Sequence, residues 1–199
     1  MTRTKIAIIA LAVCCMALLA AGTAAYFVVE DTAYNVITTA ALDMELVETD
    51  GNGNPFTDVT GVMPGETIGK VVTVKNAGGV DFWTRIKLDI QLTFADGTVE
   101  TIDTLEKLQQ HRHIKLVGLD TANWVYDNGF FYYQQAVKGS LVAGIDGEST
   151  APLFTGVEFA ETMDNRYQTC ELIIGVKAQA VQSRNNGTAA TEAVGWSAE

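Results

Sequence analysis

Two histidines, His111 and His113, are the side chains here whose type and spacing most invite a chemical reading. They are the only histidines among the 199 residues, and imidazoles one residue apart suit a metal ion. A hydrolytic zinc centre needs about three protein ligands, an open coordination position and a general base. No HExxH pattern and no third ligand at a regular spacing accompanies the pair. The stretch from Thr101 to His113 reads instead as a helix, capped by Asp103, with Glu106 three residues on to complete a capping box. An imidazolium at the C-terminal end of such a helix is favoured by the negative pole of its dipole. The sequence therefore assigns no catalytic residue, no metal site and no cofactor, with His111 and His113 as the remaining metal candidates.

Three further groups carry recognisable chemistry. Asp50, Asn52 and Asn54 have the spacing of the start of a calcium loop, but Pro55 stands where that loop needs glycine and Gly61 where it needs glutamate. The segment reads as an Asx and glycine turn. Trp124, Tyr126, Phe130 and Tyr132 could form a sugar-binding platform, but aromatic residues at strand spacing more often pack across a hairpin. Cys170 falls on an apolar face, where a thiol behaves as a small hydrophobe. No Ser/His/Asp arrangement and no phosphate loop is present.

The elements that must position these residues begin with an export signal. Arg3 and Lys5 precede an uncharged run, Ile6 to Ala21, of 16 residues. A spanning helix needs about 20. Thr23-Ala24-Ala25 supplies the small residues of a cleavage site, which places the cut between Ala25 and Tyr26. Val13 before Cys14 does not suit lipidation. Removing residues 1–25 leaves 174, with Cys170 as the only cysteine. It also removes two basic and no acidic residues, so 11 Lys and Arg face 24 Asp and Glu, a net charge of −13. That balance excludes nucleic acid and anionic membrane surfaces as partners. No stable membrane insertion is expected after cleavage.

The exported part reads as strands. Tyr34, Val36, Thr38, Ala40, Leu42, Met44 and Leu46 alternate with polar residues, broken by Ile37. Met63-Pro64-Gly65 turns the chain into a strand from Thr67 to Asn76. Ile86, Leu88, Ile90, Leu92 and Phe94 alternate with charged and polar neighbours, as in a sandwich strand. Asp127-Asn128-Gly129 joins two aromatic strands in a hairpin, because both central residues tolerate positive φ. Lys138 to Pro152 is a glycine-rich loop, Leu153 to Ala160 a short strand, and Cys170 to Ala180 a long last strand. The tail 183–199 reads as small, polar and flexible, with Asn186-Gly187-Thr188 matching a glycosylation sequon. The expected fold is all-β: an antiparallel, jelly-roll-like β-sandwich with one short helix, preceded by a cleavable signal peptide. Its expected organisation is residues 1–25 signal, 26–39 extended segment, 40–182 sandwich and 183–199 tail.

GTAAYF, then NVITTAALDMELVE, VMPGETIGKVVTVKNAGG and FWTRIKL, resemble in order and spacing the TasA/camelysin family. NWVYDNGFFYYQQAVKGS, TAPLF and IIGVKAQAVQ extend the resemblance over nearly the whole chain. It implies a jelly-roll domain, export through a dedicated signal peptidase, and a secreted role in the extracellular matrix or at the cell surface. It further implies fibre assembly by donor-strand complementation, the N-terminal segment of one subunit filling a groove of the next. That role falls on Tyr26 to Thr39, with Tyr26, Phe27, Val28, Val29, Tyr34, Val36 and Ile37 as the candidate inserting residues. The partner would be another copy of the chain or a related matrix subunit. Camelysin-like members are also described as metalloendopeptidases, which is the alternative activity; a surface adhesin or carbohydrate-binding module is a third.

Overall fold

Alternation of apolar and polar residues folds this chain into two stacked antiparallel sheets. The computed structural model describes residues 42–142 and 144–197, which lie within one unit, Thr39–Glu199. The cleavage site at Ala25 and Tyr26, and the segment from Tyr26 to Thr39, lie outside the described residues.

The first sheet is built on β4 (Phe82–Thr93) and β10 (Glu171–Gln182), antiparallel over 12 residues each. β8 (Phe130–Tyr133) pairs with the start of β4, β7 (Trp124–Asp127) with β8, and β5 (Val99–Ile102) with the end of β4. The strand order is β10-β4-β8-β7. The second sheet contains β1 (Met44–Thr49) against β3 (Val71–Asn76), and β2 (Thr67–Gly69) against β9 (Gly156–Phe159), which in turn pairs with β6 (Ile114–Val117). The two parts are continuous, because residues leading into β9 bond to β3: Leu153 N–H donates to Val72 O at 2.9 Å and Thr150 N–H to Val74 O at 2.8 Å. Val72, Val74, Ile86, Ile90, Leu92, Ile114, Trp124, Leu153 and Phe154 are fully buried between the layers. The result is the all-β sandwich that the alternation predicts.

The differences from the sequence reading have local causes. The first described strand begins at Met44 rather than continuing back through Leu42. The strand expected from Thr67 to Asn76 is broken at Lys70, which is 5% exposed and pairs with Glu48 at 2.9 Å while its ammonium covers the Phe56 ring. The 50–54 turn packs there: a Cβ on Gly69 would lie 2.6 Å from the Gly51 nitrogen. The expected helix is shorter. Its first residues form β5, and α1 runs only from Leu105 to Gln110. Thr104, not Asp103, is the cap, its Oγ1 accepting from Lys107 N–H at 3.2 Å. Asp103 pairs with Lys107 instead, at 2.8 Å. The hairpin forms as expected, with Asn128 and Gly129 at φ 47° and 85°.

Residues 183–197 differ most from expectation. Instead of a free tail, they fold across the outer face of the first sheet. Ala190, Ala193 and Trp196 pack on Trp83, Phe130, Tyr132 and Val181. Trp83 Nε1–H donates to Asn186 O at 2.9 Å. The Asn186 side chain is itself occupied, donating to Gln182 O and Val194 O and accepting from Val194 N–H. The sequon residue is thus a structural clamp. Among the described residues, no helix is long and apolar enough to cross a membrane.

Candidate functional site

The two histidines are placed by the turn that ends α1. His111 is its C-cap, and its Nδ1 accepts from the backbone N–H of Ile114 at 2.9 Å and of His113 at 3.3 Å. That nitrogen is committed as an acceptor, so the proton sits on Nε2, which faces Glu100 Oε1 at 3.5 Å. Burial holds the His111 imidazole below its ordinary pKa; Glu100 opposes that shift and His113 adds to it. His113 packs against Tyr167 with ring centres 4.7 Å apart, and its buried Nδ1 has no hydrogen-bond partner among the described residues. The two imidazoles stand edge to face, 6.2 Å apart. These residues line an open cleft of about 450 Å³ with Arg166 and Lys107.

This donor set does not fit a three-ligand metal centre. One nitrogen of His111 is spent on the backbone as an acceptor, which leaves the proton on the other. Among the described residues, no three of His, Cys, Asp or Glu are grouped to hold an ion. What the arrangement does chemically is cap a turn: His111 replaces the backbone acceptor that the N–H groups of His113 and Ile114 lack. Cys170 lies nearby, its thiol pushed up by burial and by Glu100. A thiol so protonated is a poor nucleophile.

The aromatic residues do not form one platform. Trp124 and Tyr126 turn inward with Phe131 and Tyr133, and Trp124 Nε1–H bonds Ala151 O at 3.1 Å. Phe130 and Tyr132 turn outward, beneath the C-terminal strap. Trp124, Phe130 and Tyr132 are buried, so these side chains do not present a common face to solvent.

Among the described residues, the first sheet ends on an open edge. β10 pairs along its whole length with β4, and no strand among the described residues pairs with its other side. A row of unpaired N–H and C=O groups on a long edge is a template for another strand. The side chains repeat the message. On β4, Ile86, Leu88, Ile90 and Leu92 are buried, whereas their partners on β10, Ala178, Val176, Ile174 and Leu172, pack on the same core yet remain partly open. Among the described residues β1 ends the other sheet in the same way, with Met44 and Leu46 half-buried against that core. The outer strands of both layers thus leave apolar surface incompletely covered.

Sequence reasoning identified the last strand but not that it ends the sheet among the described residues, because pairing partners are not written in a strand's own alternation. It also missed Glu100 and Tyr167 beside the histidines, which come from β5 and from the 3-10 turn Asn165–Tyr167. No curated protein matches the chain. A family model described as camelysin metallo-endopeptidase matches residues 2–123, more than half of it.

Proposed function

The chain belongs to the camelysin metallo-endopeptidase family, and on that premise we propose that it is an exported structural subunit rather than a peptidase. Its exported form assembles head to tail by donor-strand complementation, in the extracellular matrix or at the cell surface. Residues 26–39 of one copy lie along the free side of β10 in the next. The observation that carries this reading is the outer side of β10 (Glu171–Gln182), with which no strand among the described residues pairs, and its half-covered apolar row.

Lengths and chemistry support it. At ~3.3 Å per residue, β10 offers an edge of roughly 40 Å, and the 14 residues from Tyr26 to Thr39 span roughly 45 Å. Added backbone bonds supply affinity, and alternate side chains such as Tyr34 and Val36 enter the groove and supply register. A contact of this kind does not close on itself, so it propagates as a filament. The partner is another copy of the chain or a related subunit. The peptidase activity named in the family's description has less support, because His111 is occupied as a cap.

Deletion of Tyr26–Thr39 tests the reading. The truncated chain is expected to fold, since the buried core is drawn from residues 72–193, but to remain monomeric where the chain 26–199 forms filaments. Identical filaments from the truncated chain would overturn the reading.

A further inference from the structure

Leu141, Val142 and Ile145 are 83%, 59% and 60% exposed. They share one loop, and Gly139 to Ile145 carries no charge in a chain that is otherwise strongly acidic. The loop is held in place at both ends. Ser140 N–H donates to Gly78 O at 3.0 Å, Ile145 N–H to Val142 O at 3.1 Å and Gly147 N–H to Asn76 O at 2.9 Å. Asp146 pairs with Lys75, which also faces Glu45 at 3.6 Å. An apolar cluster presented to water on an anchored loop marks an interaction surface more often than a solitary exposed side chain does.

Lys75 and Asn76 belong to β3, where Asn76 stands opposite Met44 and Ala77 N–H donates to Asp43 O at 3.1 Å. The loop therefore sits at the end of the sandwich where the described chain begins, at Leu42. Residues 26–41 continue the chain from that point.

We propose that Leu141, Val142 and Ile145 form a second contact with another copy of this chain, beside the donor-strand joint. This rests on the donor-strand reading. A segment that leaves the domain next to this loop and enters a neighbour brings that neighbour's surface to the loop. Two chains of like charge repel within about a Debye length, ~8–10 Å. An uncharged apolar tip is where their close approach is least opposed, and covering it removes three aliphatic side chains from water.

The test compares three forms: the chain 26–199, its Leu141→Ser/Val142→Ser/Ile145→Ser variant, and the chain lacking 26–39. Polymer is measured by sedimentation across a concentration series, thermal melting checks the fold, and flotation with phosphatidylcholine/phosphatidylglycerol vesicles checks lipid binding. The serine variant is expected to melt like its parent, because the replaced side chains already face water, and to need about tenfold or more protein to polymerise. An unchanged critical concentration overturns the proposal and leaves the donor-strand reading standing. Polymer from the deleted chain overturns the donor-strand reading and, with it, a loop contact placed beside that joint. A parent that stays monomeric throughout overturns both. Vesicle binding lost in the serine variant, with polymerisation unchanged, makes the loop a lipid contact and overturns the proposal.

Discussion

The guanidinium carbon of Arg85 lies 4.7 Å from the ring centre of Trp196, one of the residues by which the C-terminal strap packs on the first sheet. Arg85 is buried, and no carboxylate pairs with it among the described residues. It is 3.7 Å from the Phe130 ring centre, and donates to Gln179 Oε1 at 2.8 Å and to the Tyr132 hydroxyl at 3.1 Å. Aromatic faces and neutral acceptors thus do for this cation what a carboxylate does elsewhere.

Trp196→Ala is expected to lower folding stability by about 1–3 kcal/mol, from lost packing and a lost cation–π contact. Trp196→Phe should recover most of it. Urea denaturation of the three proteins measures the difference. A Trp196→Ala variant as stable as its parent would mean that the strap contributes nothing to the fold.

Gly69→Ala is expected to destabilise by about 2 kcal/mol or more, because the new Cβ meets backbone, the Gly51 nitrogen at 2.6 Å, and not a flexible side chain. Gly53→Ala meets no atom within 4 Å and suffers only from its φ of +85°, a cost of about 1 kcal/mol. Paired urea melts should therefore rank Gly69→Ala below Gly53→Ala. The reverse order would show that the 50–54 turn moves freely away from β2.

Acid should loosen the His111 turn. Its pKa is lowered in the folded state, so the unfolded chain binds the proton more readily and stability rises with pH. The contribution is complete above the unfolded value of about 6.5 and is lost as pH falls through the folded value. The groups facing it are Glu100, which favours protonation, and His113, which opposes it. Asp50, Asp96, Asp103 and Asp120 are lowered from 3.8 by hydrogen bonds, and their losses come at more acid pH. Urea midpoints between pH 7.5 and 5 should fall in the parent and flatten in His111→Gln. An equal slope in both would remove His111 from the account.

How much of this was legible beforehand depends on how each residue is held. Ile86 to Phe94 and the Asn128-Gly129 hairpin were readable because strand period and positive φ are local properties. β5 was not, since Val99–Ile102 runs directly into residues that carry helix-cap signals, and β6 (Ile114–Val117) follows the His111 turn with no intervening loop of its own. The docking of Ala190, Ala193 and Trp196 has no periodicity to announce it; it depends on the aromatic outer face of β4 and β8. His111 was seen as a helix-end residue, but its role as acceptor for two backbone N–H groups depends on a turn geometry that no spacing encodes. The family resemblance read from the sequence agrees with the family match. The donor segment itself lies outside the described residues.

The most direct test of the central claim is a cross-link between copies. In a Cys170→Ser background, one population carries Val36→Cys, and others carry a single cysteine at Leu172, Ile174, Val176 or Ala178. Mixed and oxidised, Val36→Cys is expected to give a disulfide-linked dimer with at least one β10 position, absent when Val36→Cys is mixed with a cysteine-free partner. Filaments that form in the mixture without any such link between Val36 and β10 would contradict donor-strand assembly along this edge.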